Sequence, residues 1–201
     1  MKQEIRQLRA MIGASGRIAF LGGAGVSTES GIPDFRSRDG HFKAIRAFGQ
    51  APEVLLSHGF FMQHPEIFFA YYRASLLVTD ALPNRAHAAL AQLEKQGKLT
   101  AVVTQNVDGL HQKAGSKNVF ELHGSIYRNR CMQCGRAYGP EAISESAGVP
   151  RCTCGASSSR MWCCMKKGLI PRCCRVRLRT LCRRICSLWG ERRLRYTRQP
   201  G

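Results

Sequence analysis

Beyond Gly155 the chain stops reading like a polypeptide that can fold. Residues 156–201 hold 13 of the 31 Lys+Arg, a single acid (Glu191) and six of the ten cysteines, with no helical or strand period among them. A change of reading frame explains the break. Joining the last base of each codon to the first two of the next turns Met161-Trp162-Cys163-Cys164-Met165-Lys166 into Val, Val, Leu, His or Tyr, and Glu; four of these five are fixed whatever synonymous codons are used. Trp189 to Gly201 likewise permits GGTSLAVYPAAG, its first Gly forced. An apolar strand and a Gly-Thr-Ser-Leu loop thus both lie one frame away. The other reading is a genuine basic tail, which would bind nucleic acid or anionic lipid nonspecifically by counterion release. The expected division is a folding part, residues 1–155, and a basic, Cys/Arg-rich, out-of-frame and disordered tail, residues 156–201.

The net charge of +18 misleads for the same reason. Residues 1–155 carry 18 basic and 12 acidic residues, an ordinary balance that argues little for a nucleic-acid partner. The N-terminus is charged and lacks the apolar run of a signal peptide, and no apolar stretch reaches membrane-spanning length. A cytoplasmic protein with no membrane partner is expected, in which cysteines serve as metal ligands or free thiols rather than disulfides.

Along the folding part, residues 2–12 read as an amphipathic helix with Ile5, Leu8 and Ile12 on one face. Arg17 to Leu21 is an apolar run that ends in Gly22-Gly23-Ala24-Gly25, a strand entering a glycine turn. Asp34 to about Gly49 has no clean period and reads as a mobile loop. Residues 64–78 and 84–96 read as helices, the second with Ala86, Ala89, Leu90 and Leu93 on one face behind Pro83. Leu99–Thr104 and Asn118–Leu122 read as strands, with a short helix over Val107–Ala114 between them. Strands alternating with helices predict an α/β fold, a Rossmann-like parallel sheet.

Four constellations carry chemistry. In Gly22-Gly-Ala-Gly-Val-Ser-Thr-Glu-Ser-Gly-Ile-Pro-Asp-Phe-Arg36, glycines after a strand let the backbone approach a pyrophosphate, and a helix starting near Ser27 would offer N–H groups to an anion. Thr28 stands where the third Gly of a dinucleotide fingerprint belongs, so a plain strand-helix turn remains the alternative. Thr104-Gln105-Asn106-Val107-Asp108-Gly109-Leu110-His111 puts carboxamides and a carboxylate at a strand's C-terminal end, where open α/β sheets bind ligands. The alternative there is helix capping by Asn106 or Asp108. In Glu121-Leu122-His123-Gly124-Ser125, His123 suits a general base facing a cleft, against a merely structural His. His41, His58, His64, His87 and His111 have weaker contexts and receive no role. Finally Cys131-x2-Cys134 and Cys152-x-Cys154 suit a closed, structural tetrahedral zinc site in a module at about residues 126–155, the alternative being free thiols.

Taken together and in this order, GAGVSTESGIPDFRS, TQNVDGLH, ELHGS and the two cysteine pairs resemble the sirtuins, NAD-dependent protein-lysine deacylases. The resemblance covers about residues 1–155, and the shifted-frame strings look like the family's substrate-pairing strand and GTSL cofactor loop. It implies that Gly23, Ala24, Gly25 and Ser27 line an NAD phosphate site and that Asp34, Phe35 and Arg36 belong to a mobile cofactor loop. Gln105, Asn106 and Asp108 would hold the ribose and nicotinamide, with Asn106 counted beside His123 among the catalytic residues. By the family mechanism, the acyl-lysine oxygen attacks C1′ of the nicotinamide ribose and nicotinamide leaves. His123 then deprotonates a ribose hydroxyl, which attacks the imidate to give deacylated lysine and O-acyl-ADP-ribose. The partners implied are acetyl-lysine proteins or peptides. Family members that take negatively charged acyl groups carry Tyr-x-x-Arg where this chain has Ala70-Tyr71-Tyr72-Arg73, which favours acetyl over succinyl. The chain departs from the family after Gly155, so the final strands of the sheet are expected to be missing and activity to be lost. A non-enzymatic zinc module with a nucleic-acid-binding tail is the competing reading.

Overall fold

The structure, a computed structural model, describes residues 2–34, 37–154 and 161–163. Its central element is a parallel sheet of β1 (Ile18–Gly22), β2 (Leu99–Thr104) and β3 (Val119–Glu121), in the order β1-β2-β3. Register decides what this sheet can do. Gly22 pairs with Thr104 and Thr104 with Glu121, so all three strands end at one level. The segments that follow, Gly23 onward, Gln105 onward and Leu122 onward, therefore emerge side by side at the carboxyl end of the sheet. Two backbone bonds continue the pairing past the strand ends: Gln105 N–H donates to Gly22 O at 3.0 Å, and Leu122 N–H to Thr104 O at 2.9 Å.

Before β1 comes α1 (Lys2–Ala14), whose last carbonyls, on Ile12 and Gly13, are taken by Lys98 Nζ at 3.2 and 3.1 Å. Of its expected apolar face only Ile12 is half-buried; Ile5 and Leu8 are exposed, as is Met11. β1 has a partner strand on only one edge among the described residues, and Leu21 is 68% exposed. A parallel sheet normally has both faces covered; among the described residues nothing covers this side of β1.

The region read as a mobile loop is a helix for most of its length. α2 (Arg38–Phe48) starts at Ser37, whose side chain accepts from Gly40 N–H, and stops at Gly49 in the left-handed region. Phe42, Ile45 and Phe48 recur along it at helical spacing, yet it buries little, mainly Ala44 and part of Phe48, and Phe42 and Ile45 are exposed. Three further helices follow, α3 (Pro52–Leu55), α4 (His58–Gln63) and α5 (Pro65–Ser75). They build the main core from Leu55, Phe61, Phe68, Phe69, Tyr71 and Tyr72, with Phe61 edge-on to Phe68 at 5.0 Å and Phe68 to Phe69 at 5.3 Å. Each such ring contributes about 1.5–3 kcal/mol by burial.

α6 (Arg85–Lys95) also departs from its expected orientation: Ala86 and Ala89 are exposed, while His87 is buried. Glu94 fixes the rotation by accepting from the N–H groups of Lys117 and Asn118 at 2.9 and 2.8 Å, which turns His87, Leu90 and Ala91 inward. α7 (Leu110–Lys113) begins only after Gly109, whose φ of +70° interrupts the helix expected from Val107.

The cysteine module is a small antiparallel sheet, with β4 (Asn129–Cys131) between β5 (Ala137–Tyr138) and β6 (Met161–Cys163), plus α8 (Glu141–Ser144). Ile126 and Ile143 insert from this module into the aromatic core of α4 and α5. Arg73 on α5 clasps it, donating to Gly148 O at 2.9 Å, Ser146 Oγ at 3.3 Å and Ile143 O at 3.4 Å. β6 corrects one expectation: three residues assigned to the disordered tail form a strand. Ladder bonds use only backbone groups, so an open edge on β4 can recruit a segment whatever its side chains. The rest of the expected tail lies outside the described residues.

Candidate functional site

The glycine turn leaves β1 at Gly23, which is extended, and continues as two short 3-10 turns, Ala24–Val26 and Thr28–Ser30, ending at left-handed Gly31. No α-helix starts near Ser27, contrary to expectation. Thr28 Oγ1 donates back to Gly25 O at 3.0 Å and Pro33 follows closely, both unfavourable to continuing a helix. A helix dipole is therefore not what this turn offers. It offers room: a Cβ added at Gly23 or Gly25 would meet nothing within 4 Å, and neither residue has a left-handed φ. Neither the backbone conformation nor a protein neighbour demands glycine at these two places. Room at these two places would let a ligand approach the backbone of the turn closely.

Beneath the turn, Ser27 is 1% exposed and joins two strand ends. Its Oγ donates to Asp108 Oδ2 at 2.7 Å and accepts from Asn106 Nδ2 at 2.9 Å. The other oxygen of Asp108 accepts from Leu110 N–H at 3.0 Å, so Asp108 both caps α7 and holds the glycine turn. Asn106 N–H donates to Thr104 Oγ1 at 3.0 Å, which turns its side chain back toward Ser27. Gln105 and His123 meet through backbone: His123 Nδ1 lies 2.9 Å from Gln105 O. A carbonyl only accepts, so Nδ1 carries the proton and the neutral ring keeps its lone pair on Nε2. Glu121, last in β3, pairs with Arg128 and accepts from Gln112 Nε2 at 2.9 Å, holding both ends of the segment that carries His123. Asp34 follows the second 3-10 turn and its carbonyl accepts from Ser37 N–H at 3.0 Å, while Phe35 and Arg36 lie outside the described residues.

The four cysteines of the fourth constellation come together. All four sulfurs lie within 4.8 Å of one another, with Cys131–Cys154 at 3.9 Å and Cys134–Cys152 at 3.6 Å. A tetrahedron with zinc–sulfur bonds of about 2.3 Å has edges of about 3.8 Å. The donor set thus fits zinc, with no position left for water. The Tyr138 hydroxyl, 2.9 Å from Cys152 Sγ, pulls that thiol down to about 6, toward the thiolate a metal needs.

Two histidines given no role from sequence form a buried pair. His87 and His111 face each other with ring centroids 4.7 Å apart. Both nitrogens of His111 and Nε2 of His87 find no hydrogen-bond partner among the described residues. Burial, and then the neighbouring His87, push His111 down to about 4 against the pull of Asp108; burial likewise lowers His87. No sequence signal joins residues 24 apart, since the pairing depends on how α6 is rotated. The unfolded chain, titrating near 6.5, binds more protons than the fold between pH 6.5 and 4. Stability is therefore complete at neutral pH and falls as pH drops through that window, by roughly 1–3 kcal/mol. Melting curves from pH 7.5 to 4.5 should show this fall in the wild type, shallower in His111→Phe. Parallel curves would remove the pair from the acid response.

Comparison with known proteins places this geometry. The model of the Sir2 family matches residues 23–192. An NAD-dependent protein deacetylase of Clostridium perfringens is 56% identical over 156 residues, 77% of this chain and 64% of that protein. One from Clostridium acetobutylicum is 54% identical over 154 residues, 76% and 63% respectively. The chain thus spans just under two thirds of the length of these relatives. Among solved structures, a Sir2–p53 peptide–NAD+ complex superposes with a TM-score of 0.74 at 33% identity, covering 88% of this chain and 70% of that one. A Sir2 bound to acetylated peptide gives 0.72 at 32%, covering 88% and 70%. With the glycine turn and the two strand-end motifs on one parallel sheet and the cysteine cluster in an antiparallel module of its own, this chain belongs to the Sir2 family, the sirtuins.

Proposed function

We propose that the site is that of an NAD-dependent protein-lysine deacetylase, which yields nicotinamide and O-acetyl-ADP-ribose. One observation carries the reading: the His123–Gln105 bond leaves a basic Nε2 on the strand-end level where Ser27, Asn106 and Asp108 are locked under an open glycine turn. NAD, consumed as co-substrate, supplies the electrophilic ribose carbon and the hydroxyl that takes the acyl group. Gly23, Ala24 and Gly25 lie against the phosphates, with Ser27 fixing the turn from below. Asp34, Phe35 and Arg36 are assigned to the family's cofactor loop. Gln105, Asn106 and Asp108 orient the ribose and nicotinamide, and His123 removes the hydroxyl proton. Zinc on Cys131, Cys134, Cys152 and Cys154 is structural.

The substrates proposed are acetyl-lysine proteins or peptides. Ala70 is exposed, and the Arg73 guanidinium is engaged by acceptors of the cysteine module, which supports a neutral acyl group over a dicarboxylic one. Clustered free thiols suit a reducing compartment, and the proposal places the protein in the cytoplasm. Among the described residues no helix is long and apolar enough to cross a membrane. The zinc-module reading leaves the buried Ser27–Asp108–Asn106 cluster without a use and is not favoured.

The proposal has a second half: residues 156–201 are the product of a shifted frame, and the 201-residue polypeptide turns over little or no substrate. Sequencing the DNA around codons 155–160 and restoring the frame near Ala156 should yield NAD-dependent deacetylation with release of nicotinamide. The 201-residue chain, assayed beside it, should stay near background. Robust turnover by that chain would overturn the second half; a frame-restored protein with no NAD-dependent activity would overturn the first.

A further inference from the structure

The glycine turn is held from two sides, and one of the holders has no role so far. Val26 and Ser27 are adjacent; Ser27 Oγ is fixed by Asp108, while Val26 O accepts from Asn84 Nδ2 at 2.7 Å. Asn84 comes from the start of α6, 58 residues along the chain, and its carboxamide works at both ends. The oxygen accepts from the N–H groups of Ala86 and His87 at 2.9 and 3.3 Å, capping the helix. The nitrogen reaches out to the turn. Asn84 is itself braced, its N–H donating to His87 Nδ1 at 3.3 Å. His87 in turn packs on His111, three residues beyond Asp108. A path of contacts thus runs from Val26 through Asn84 and His87 to His111, and the short stretch of chain from His111 back to Asp108 returns it to Ser27.

The choice of residue separates the two duties. Capping needs only a side-chain acceptor, which Ser, Thr and Asp provide about as well as Asn. The bond to Val26 O needs a donor at amide reach, which Asp lacks altogether. We infer that Asn84 is a positioning residue: its Nδ2 keeps the glycine turn in the shape that leaves the space over Gly23 and Gly25 open, independently of its service to α6. The consequence for cofactor binding rests on the NAD reading; the tether itself does not.

The test uses the 201-residue protein with Asn84→Asp and Asn84→Ser, both of which keep the cap and lose the tether, and Asn84→Ala, which loses both. Backbone hydrogen exchange is read in residues 23–31 and in residues 86–95, without NAD. Both cap-retaining variants should exchange about tenfold faster in the turn, the scale set by one lost buried hydrogen bond, with the helix unchanged. Asn84→Ala should speed both segments. Turn exchange equal to wild type, or turn and helix quickening together in Asn84→Asp and Asn84→Ser, would overturn the tether. NAD titration of the frame-restored protein, with and without Asn84→Asp, gives the functional arm: the variant should lose about tenfold in affinity. Unchanged affinity would overturn the positioning role, whereas a frame-restored protein that binds no NAD counts against the cofactor reading and leaves the exchange result standing.

Discussion

His123→Ala, made in the frame-restored protein, should lower the single-turnover rate by about 10²–10⁴-fold, the usual cost of removing a positioned general base. NAD affinity should change little, because an imidazole that serves to take a proton contributes little to holding phosphates. The fold should survive as well. His123 is only half-buried, and its bond to Gln105 O is a single side-chain contact worth about 1 kcal/mol. A purely structural His123 makes the opposite forecast: a lower melting temperature, with activity falling only in proportion to folded protein. Melting temperature, NAD affinity and single-turnover rate of this one variant separate the two cases. A destabilised protein with a normal rate per folded molecule would take His123 out of the chemistry.

Cys131→Ala should cost the cysteine module its metal and its fold together. Cys131 ends β4, the strand that carries both β5 and β6, and its sulfur is paired across the cluster with that of Cys154. Zinc supplies about 10–16 kcal/mol to small folds built around it, far more than three short strands and one helical turn can supply alone. The damage should reach beyond the module, since Ile126 and Ile143 are part of the aromatic core of α4 and α5. One zinc per chain is expected by elemental analysis of chelator-free protein, and less than one in the variant, with a lower and broader melting transition. Wild-type protein purified without chelator and found free of zinc would refute the metal site.

The sheet and its order of motifs were legible because strand periods and glycine punctuation are local signals. Ile18–Gly22, Leu99–Thr104 and Val119–Glu121 fall where apolar runs meet Gly23, Gln105 and Leu122. The four clustered cysteines were legible for the same reason: their spacing is written along the chain. α2 was missed although its signals were present: Ser37 before it, Gly49 after it, and Phe42, Ile45 and Phe48 at helical spacing between them, of which Phe42 and Ile45 stay exposed. The rotation of α6 was legible only in part: Leu90 and Leu93 of the expected face are half-buried, while Ala86 and Ala89 are exposed and His87 takes the buried place. Glu94 sets the rotation by reaching the chain that enters β3, and that choice also brings His87 onto His111 and Asn84 onto Val26. Contacts of that kind join distant segments and leave no periodic trace.

The open flank of β1 bears on how long such a polypeptide lasts. Among the described residues β1 has a partner strand on one edge only, Leu21 faces outward and α1 presents Ile5, Leu8 and Met11; unpaired strand edges and exposed apolar side chains of this kind are what chaperones and proteases act on. Under the frame-shift proposal, residence time in the cell would then limit how much of the protein accumulates. The same flank governs handling in solution, where added chain concentration promotes edge-to-edge association ahead of any loss of the aromatic core.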